Sequence, residues 1–218
     1  MKIYVIRSGP IMENTYLLVQ EGKALVIDAG APADVILREC RKLSADPIAL
    51  LLTHGHIDHI LGAAGLQRAG VKVYAGAEEF DVIAGRANLA LALRTSLDPF
   101  TPDVAVRDED VLSIGPFSVR ALFTPGHTKG GYSYLIDGSL FSGDTLFCGS
   151  YGRTDFPTGD EMDLVCSIAN VLFSLPPETE VYAGHSDDFS LELDLAFPAS
   201  PDTTIGNEYS TNPILNLL

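Results

Sequence analysis

Cysteine, tryptophan and long apolar runs are scarce in this sequence. It contains no Trp and three Cys among 218 residues. Cys40, Cys148 and Cys166 are too few and too widely spaced for a disulfide framework, and the helical patterns around Cys40 and Cys166 predict buried thiols. No stretch approaches the roughly 20 apolar residues of a membrane-spanning helix, and residues 1–6 alternate like a strand instead of forming a signal peptide. We therefore expect a cytoplasmic protein without a membrane partner.

Positive charge is also scarce, above all towards the end of the chain. Lys and Arg number 14 against 29 Asp and Glu, which gives a formal net charge of −15. No Lys or Arg follows Arg153, whereas 12 acidic residues do. Such a surface repels phosphate backbones, so nucleic acid is excluded as the expected partner and a small-molecule substrate is favoured. The oligomeric state is not fixed by these features.

The length and the apolar pattern predict one α/β domain over residues 1–218, since 46% of the residues are hydrophobic and no long polar tract interrupts them. Strands followed by helices occur twice along the chain. The predicted strands are 3–6, 15–20, 24–28, 48–52, 71–74, 111–114, 117–123, 131–136, 139–142 and 181–183. The predicted helices are 33–43, 60–69, 78–83, 87–95 and 160–173.

The five histidines all lie where a predicted strand ends. Three of them fall in the run His54-Gly55-His56-Ile57-Asp58-His59, directly after the apolar residues 48–52. In open α/β sheets, the loops at the carboxyl ends of strands build functional sites. Imidazole with an added carboxylate suits zinc or iron, and side chains two apart on an extended loop share a face. This loop is therefore predicted to bind metal.

Two further histidines and two carboxylates lie at comparable positions. His127 and His185 each follow a glycine after an apolar run, and Asp144 ends the short run 140–142. Asp28 ends the third predicted strand at the same rim of the sheet. Two roles remain open for Asp28: it orients a metal-binding histidine, or it caps the helix 33–43.

The motif His-x-His-x-Asp-His, followed by isolated His, Asp and His, resembles the metallo-β-lactamase superfamily. Within it, residues 125–128, 141–147 and 149–155 resemble the short bacterial members of the glyoxalase II-like (hydroxyacylglutathione hydrolase-like) branch. The ending 203–208, with Asn212-Pro213, does so as well. The resemblance implies a four-layer αββα sandwich. After His185 the chain departs from this branch, because more than a dozen residues precede Thr203 where short relatives continue with Gly-Pro.

The resemblance also implies a ligand set for two divalent metal ions, with zinc expected and iron or manganese as alternatives. Asp58 is the implied catalytic residue as well as a ligand, holding the proton of a hydroxide between the metals. The implied activity is hydrolysis of an acylglutathione-like or other small thioester. The implied ligands are His54, His56 and His127 for the first metal, Asp58, His59 and His185 for the second, and Asp144 for both.

Two other reactions remain open on this resemblance: a persulfide dioxygenase with one iron, and a lactonase with the same binuclear site. The candidates for gripping an anionic substrate are Lys129, Tyr151 and Arg153. Each residue has an alternative role that does not involve substrate. Lys129 could be a solvated charge on a loop, Tyr151 could line the cavity wall, and Arg153 could form an ion pair with Asp155. The segment 77–103 is either an ordinary packed excursion or a flap or dimer surface over the site.

Overall fold

The structure is a computed structural model, and it describes residues 1–9, 11–186 and 192–217. Its strands in the first half are β1 (Lys2–Ser8), β2 (Glu13–Gln20), β3 (Lys23–Ile27), β4 (Asp46–Leu51), β5 (Lys72–Gly76) and β6 (Val104–Val106). Those in the second half are β7 (Val111–Ile114), β8 (Phe117–Phe123), β9 (Tyr132–Ile136), β10 (Ser139–Gly143), β11 (Leu146–Phe147), β12 (Ser150–Tyr151), β13 (Glu180–Ala183), β14 (Ala196–Pro198) and β15 (Thr203–Thr204). The α-helices are α1 (Ala33–Lys42), α2 (Ile57–Ile60), α3 (Ala63–Arg68), α4 (Phe80–Ala84), α5 (Glu161–Cys166) and α6 (Ile205–Thr211).

The first sheet has the strand order β14-β1-β2-β3-β4-β5-β6. Strands β1 to β3 are antiparallel, whereas β3 to β6 run parallel. Ile27 of β3 pairs with Leu51 of β4, so the two strands end side by side. Asp28 and the loop that carries three histidines therefore begin at one edge of this sheet.

The second sheet has the order β15-β13-β10-β9-β8-β7. Its only parallel pair within the described residues is β10 with β13, in which Gly143 lies opposite Ala183 after a register shift. Asp144 and His185 consequently follow neighbouring strand ends. β11 and β12 form a separate hairpin beside this edge.

The two sheets pack face to face through aromatic side chains. Tyr16 of the first sheet contacts Phe141 and Tyr182 of the second, at ring-centroid distances of 5.3 and 5.7 Å. On the outer faces, α1 and α3 cover the first sheet with residues such as Ile36 and Leu66, while α5 and α6 cover the second. The four-layer αββα sandwich implied by the sequence is therefore confirmed.

The segment after His185 links the two sheets. Ser186 is described, and residues 187–191 lie outside the described residues. The chain then adds β14 to the edge of the first sheet, where Pro198 pairs with Tyr4, before β15 returns to β13. The segment between His185 and Thr203 thus contributes an edge strand to the first sheet.

The predicted helix 87–95 is wrong. Only one 3₁₀ turn forms there, Arg86–Asn88, and Leu89 takes a left-handed φ of 66°. The Asn88 side chain donates to the Ile83 carbonyl and accepts from the Ala90 N–H. Asn side chains compete in this way with helical hydrogen bonds, which explains why an alanine-rich and leucine-rich stretch does not become a helix.

Three other helices differ from their predicted bounds, and one cysteine differs in burial. The helix predicted at 78–83 is a 3₁₀ turn (Ala77–Glu79) followed by α4. The helix predicted at 60–69 is α3, whereas residue 60 is the last residue of α2; between the two helices the Gly62 N–H donates to the Ala29 carbonyl at 2.7 Å. Asp160 caps the N-terminus of α5, because its side chain accepts the Asp163 N–H. The helix predicted at 160–173 is α5 followed by a π-helical turn (Ser167–Val171) and a 3₁₀ turn (Leu172–Ser174). Cys40 is buried as predicted, whereas Cys166 is exposed, because Leu164 and Val165 provide the buried face of α5. No helix within the described ranges is long and apolar enough to cross a membrane.

Candidate metal centre

The first group of candidate ligands lies on the loop between β4 and α2. His56 has extended backbone angles and begins α2, so Asp58 and His59 lie in the first helical turn. The side chains of His54, His56 and His59 are buried. Extended backbone before the helix and helical backbone after it direct these residues towards different parts of one site.

The remaining candidate ligands follow strands β8, β10 and β13. Gly126 and Gly143, which precede His127 and Asp144, have φ values of 130° and 51°. A Cβ at Gly126 would lie 2.2 Å from the Leu164 nitrogen, so α5 leaves no space for a side chain. These turns therefore require glycine, and they bring His127 and Asp144 to the histidine loop.

His54, His56 and His127 form the first cluster. Their ligating atoms all lie within 4.8 Å of one another, and His56 Nδ1 is 3.0 Å from His127 Nε2. Burial and the neighbouring imidazoles lower the pKa of His54 well below its ordinary value, and they lower that of His56 to about 3. Both rings are consequently neutral at pH 7, which is the form that binds a metal.

Asp58, His59 and His185 form the second cluster. Their ligating atoms also lie within 4.8 Å of one another, and His59 Nε2 is 3.2 Å from His185 Nε2. Burial opposes charge on both rings. The nearby carboxylates, with Asp144 foremost, outweigh burial and raise the pKa of His59 to about 10 and that of His185 to about 11. The same negative potential favours a divalent cation.

Asp144 lies between the two clusters. Its Oδ2 atom is 3.5 Å from His127 Nε2 and 3.4 Å from His185 Nε2, while its Oδ1 atom is 3.5 Å from His59 Nε2. Burial opposes charge on Asp144, but the histidines hold its pKa well below the ordinary value. This carboxylate is therefore ionised and within reach of both clusters.

The outward nitrogens of three histidines are held by hydrogen bonds. The Nδ1 atoms of His127 and His185 lie 2.7 and 2.9 Å from the carbonyl oxygens of Arg153 and Ile11. His59 Nδ1 is 2.9 Å from Asp28 Oδ2. Each contact places a proton on Nδ1, so Nε2 is the nitrogen that faces the cluster, which is the usual arrangement around metal-binding histidines.

Asp28 therefore orients a ligand, and it does not cap α1, whose first turn has no side-chain cap. Besides His59, it accepts the Thr53 N–H and the Thr53 hydroxyl, both at 2.7 Å. Since that hydroxyl donates to Asp28, it accepts from His54 Nδ1 at 3.0 Å. One buried carboxylate thus aligns a histidine of each cluster.

The buried side chain of Glu79 supports the site, although Glu79 was not among the residues predicted from the sequence. Its carboxylate contacts the histidine loop at Gly55 and the loop after His127 at Gly130. Burial raises its pKa, and the hydrogen bonds it accepts oppose that increase. Glu78 and Glu79 differ in the sequence only by position, so no signal marked the second as a buried support.

The donor set fits divalent metal ions. Among the described residues, Nε2 of His54 and Oδ1 of Asp144 are buried and have no hydrogen-bond partner. A buried acceptor without a partner costs free energy that a bound cation recovers. Five imidazoles and two carboxylates suit zinc and also iron.

An open cavity of about 900 Å³ lies over these clusters. Of the three predicted anion-binding residues, Tyr151 and Arg153 line it, whereas Lys129 does not and instead pairs with Asp81 at 3.1 Å. The described lining residues are Ile11, His56, Asp58, Leu89, Ala92, Leu93, His127, Asp144, Phe147, Cys148, Ser150, Tyr151, Gly152, Arg153, Phe156, Ala183, His185, Ser186 and Asp202. The segment 77–103 therefore forms one side of the cavity through Leu89, Ala92 and Leu93.

Sequence comparisons agree with this architecture. Residues 8–185 match the model of the metallo-beta-lactamase superfamily. The chain is 33% identical to the probable metallo-hydrolase YqgX of Bacillus subtilis, covering 95% of this chain and 94% of that protein. It is 34% identical to hydroxyacylglutathione hydrolase GloC of Haemophilus influenzae, covering 99% of each.

Solved structures are similar over nearly the whole chain. BLEG-1 B3 metallo-beta-lactamase has a TM-score of 0.85 at 34% identity, covering 98% of this chain and 99% of that one. TTHA1623 in a di-iron-bound form has a TM-score of 0.80 at 32% identity, covering 96% and 98%. ETHE1 from Myxococcus xanthus has a TM-score of 0.76 at 28% identity, covering 98% and 84%.

Proposed function

The chain belongs to the metallo-β-lactamase superfamily of metallo-hydrolases, and we propose that it is a thioester hydrolase of the glyoxalase II type with two divalent metal ions. The position of Asp144 between two complete ligand clusters carries the proposal. The thioester specificity is supported by the similarity to hydroxyacylglutathione hydrolase GloC.

His54, His56 and His127 would hold the first metal, and Asp58, His59 and His185 the second, with Asp144 shared. When bound, such a pair activates water at neutral pH and polarises the substrate carbonyl. Zinc is the proposed metal because its ligands are those present here, and the di-iron form of TTHA1623 supports iron as a substitute.

Asp58, which lines the cavity, is proposed to orient the attacking water as well as to bind metal. Burial alone would raise its pKa, but the charge of His59 and the hydrogen bond with His185 outweigh burial and lower that pKa. An ionised carboxylate here accepts a hydrogen bond from the attacking water and fixes its orientation. In the overall reaction the water oxygen bonds to the acyl carbon, the carbon–sulfur bond breaks, and the thiol leaves with a proton.

The completeness of the second cluster supports two metals over the single iron of a persulfide dioxygenase. A lactonase would use the same two metals. Substrate panels therefore decide between these reactions, with a thioester, a lactone and a persulfide offered to the same metal-loaded protein.

We expect the thioester to be hydrolysed with release of free thiol, with dialysis against chelator abolishing the reaction and added zinc restoring it. Oxygen consumption with the persulfide, and no thiol release from any thioester, would contradict the proposal. Lactone opening without thioester cleavage would also contradict it.

A further inference from the structure

The cavity over the metal centre has apolar sides on both flanks of the ligand clusters. The ring of Phe156 lies 5.7 Å from that of His56 in the first cluster. The ring of Phe147 lies 6.4 Å from that of His185 in the second. A substrate carbonyl placed at the clusters therefore has apolar surface on both sides.

One side of the cavity also exposes large apolar residues to solvent. We call Leu89, Leu93 and Phe156 the apolar wall. Leu89 packs with Phe156 in a small cluster on Ile57, and this anchors the wall beside the histidine loop. Leu93 is 56% exposed although it lines the cavity, and Ile11 on the opposite side is 53% exposed. Exposed apolar residues gathered around a cavity mark a binding surface for an apolar ligand.

The charges around the cavity do not favour an anion. Arg153 is the only Lys or Arg among the described lining residues, and the sequence has no Lys or Arg after it. Its guanidinium makes two hydrogen bonds of 2.6 Å to Asp155 and lies 4.0 Å from the centre of the Phe156 ring. Asp202, which lies outside the two ligand clusters, adds negative charge to the lining. A glutathione moiety, with two carboxylates, would thus meet one cation that is already paired.

We propose that the substrate is a thioester without formal negative charge, carrying an apolar chain that lies against Leu89, Leu93 and Phe156. This inference rests on the proposed thioester hydrolysis and names its substrate class. The chain belongs either to the acyl group or to the thiol, since apolar surface flanks both sides of the clusters. In either case Leu93 determines specificity through contact with the chain.

The test compares two sets of thioesters on the metal-loaded protein. Acetyl, butanoyl and hexanoyl thioesters of N-acetylcysteamine, a neutral thiol, vary the acyl group, and acetyl thioesters of ethane-, butane- and hexanethiol vary the thiol. One series should gain about two- to fourfold in kcat/KM per added methylene, because burial of each methylene from water is favourable. The series that gains identifies which side of the carbonyl contacts the apolar wall. Hexanoylglutathione should be turned over on the order of tenfold less efficiently than hexanoyl-N-acetylcysteamine, because of charge repulsion.

Two exposed leucines give a matched pair of variants. Leu93→Ser should lower kcat/KM for the longest chain of the responsive series about five- to tenfold, and should lower it less for the acetyl compound, which has no long chain to contact Leu93. Leu91→Ser removes the same side chain from the same segment, but Leu91 is 70% exposed and does not line the cavity. Leu91→Ser should therefore leave kcat/KM unchanged for the longest-chain compound and for the acetyl compound.

Binding gives a second measurement that does not depend on turnover. The thioether S-hexyl-N-acetylcysteamine keeps the chain but lacks the scissile carbonyl, and calorimetry should detect its binding to the wild type and to Leu91→Ser. Binding should weaken in Leu93→Ser, whereas equal affinity in both variants would overturn the inference.

The failures of the two proposals are distinguishable. Hydrolysis of glutathione thioesters, with no dependence on chain length in either neutral series, would overturn this inference and leave the proposed function intact. No hydrolysis of any thioester by protein carrying two metals would overturn both.

Discussion

Glu79 Oε2 accepts a hydrogen bond from the backbone N–H of Gly55 at 2.6 Å. Gly55 separates His54 from His56, so this bond fixes the centre of the histidine loop. Glu79 Oε1 accepts from Gly130 at 2.9 Å, three residues after His127. A Cβ at Gly55 would lie 2.8 Å from Glu79 Oε2, and glycine therefore permits the contact. One buried side chain holds both loops of the first cluster.

Replacing Glu79 with Gln should weaken metal binding at the first cluster. The amide offers one acceptor where two backbone N–H groups need two, so one buried donor loses its partner. We expect a loss of about 1–3 kcal/mol in the free energy of unfolding of the metal-free protein. Affinity for the first metal should fall about 10- to 100-fold, as for other supports of metal ligands.

Chelator competition and thermal unfolding measure these two effects. Glu78→Gln is the matched control, because Glu78 is the exposed neighbour and carries the same charge. Equal metal affinity in the two variants would show that Glu79 does not position the loops.

The contact between Asp28 and His59 gives a second prediction. Asp28→Asn keeps the size of the side chain but removes the charge that holds the Nδ1 proton of His59. Affinity at the second cluster should fall about 10- to 100-fold. Asp34→Asn, at an exposed position of α1, removes the same charge and should bind metal normally. Stepwise zinc titration separates the two sites, and an unchanged second step in Asp28→Asn would refute the role of Asp28.

The ion pair between Arg153 and Asp155 gives a third prediction. Asp155→Asn weakens the two hydrogen bonds that hold the guanidinium, and this makes Arg153 available to an anionic substrate. The KM for a glutathione thioester should fall several-fold, whereas that for a neutral thioester of the same acyl group should stay constant. Steady-state kinetics of both compounds measure the change.

Asp163→Asn is the control for the third prediction, since Asp163 is an exposed acid on α5 that does not contact Arg153. An equal fall in KM in this variant would mean that the overall charge of the protein, and not Arg153, determines the KM for the glutathione thioester.

The candidate ligands could be recognised in the sequence because each follows a strand end beside a glycine or another small residue. The run from His54 to His59 was predicted to bind metal from its residue types and its position after a strand, whereas the role of Asp144 was implied by the resemblance to the metallo-β-lactamase superfamily. The structure brings all seven together. Lys129, which was selected by charge alone, lies outside the cavity.

Contacts between residues that are distant in the sequence, which hold the site in place, could not be predicted from the sequence. Glu208 shows why: it accepts the Gly149 N–H at 3.0 Å and binds the side chain of Asn212, which in turn donates to the Ser150 carbonyl. The ending of the chain thus holds the hairpin that carries one side of the cavity. Only the tertiary fold brings these residues together, and no local pattern encodes that contact. The absence of a helix at 87–95 was likewise not predicted. The composition of this stretch favours a helix, but the hydrogen bonds of the Asn88 side chain compete with those of a helix.

The most direct test of two metals sharing one carboxylate is the metal content of the wild type and of Asp144→Ala, measured by elemental analysis after purification without chelator. The wild type should contain about two ions per chain, because the ligands form two sets. His56→Ala, which removes a ligand from the first cluster alone, should retain about one ion on the same reasoning. Asp144→Ala should retain fewer than His56→Ala, since Asp144 reaches both clusters. A single iron in the wild type, or two ions retained by Asp144→Ala, would contradict the account.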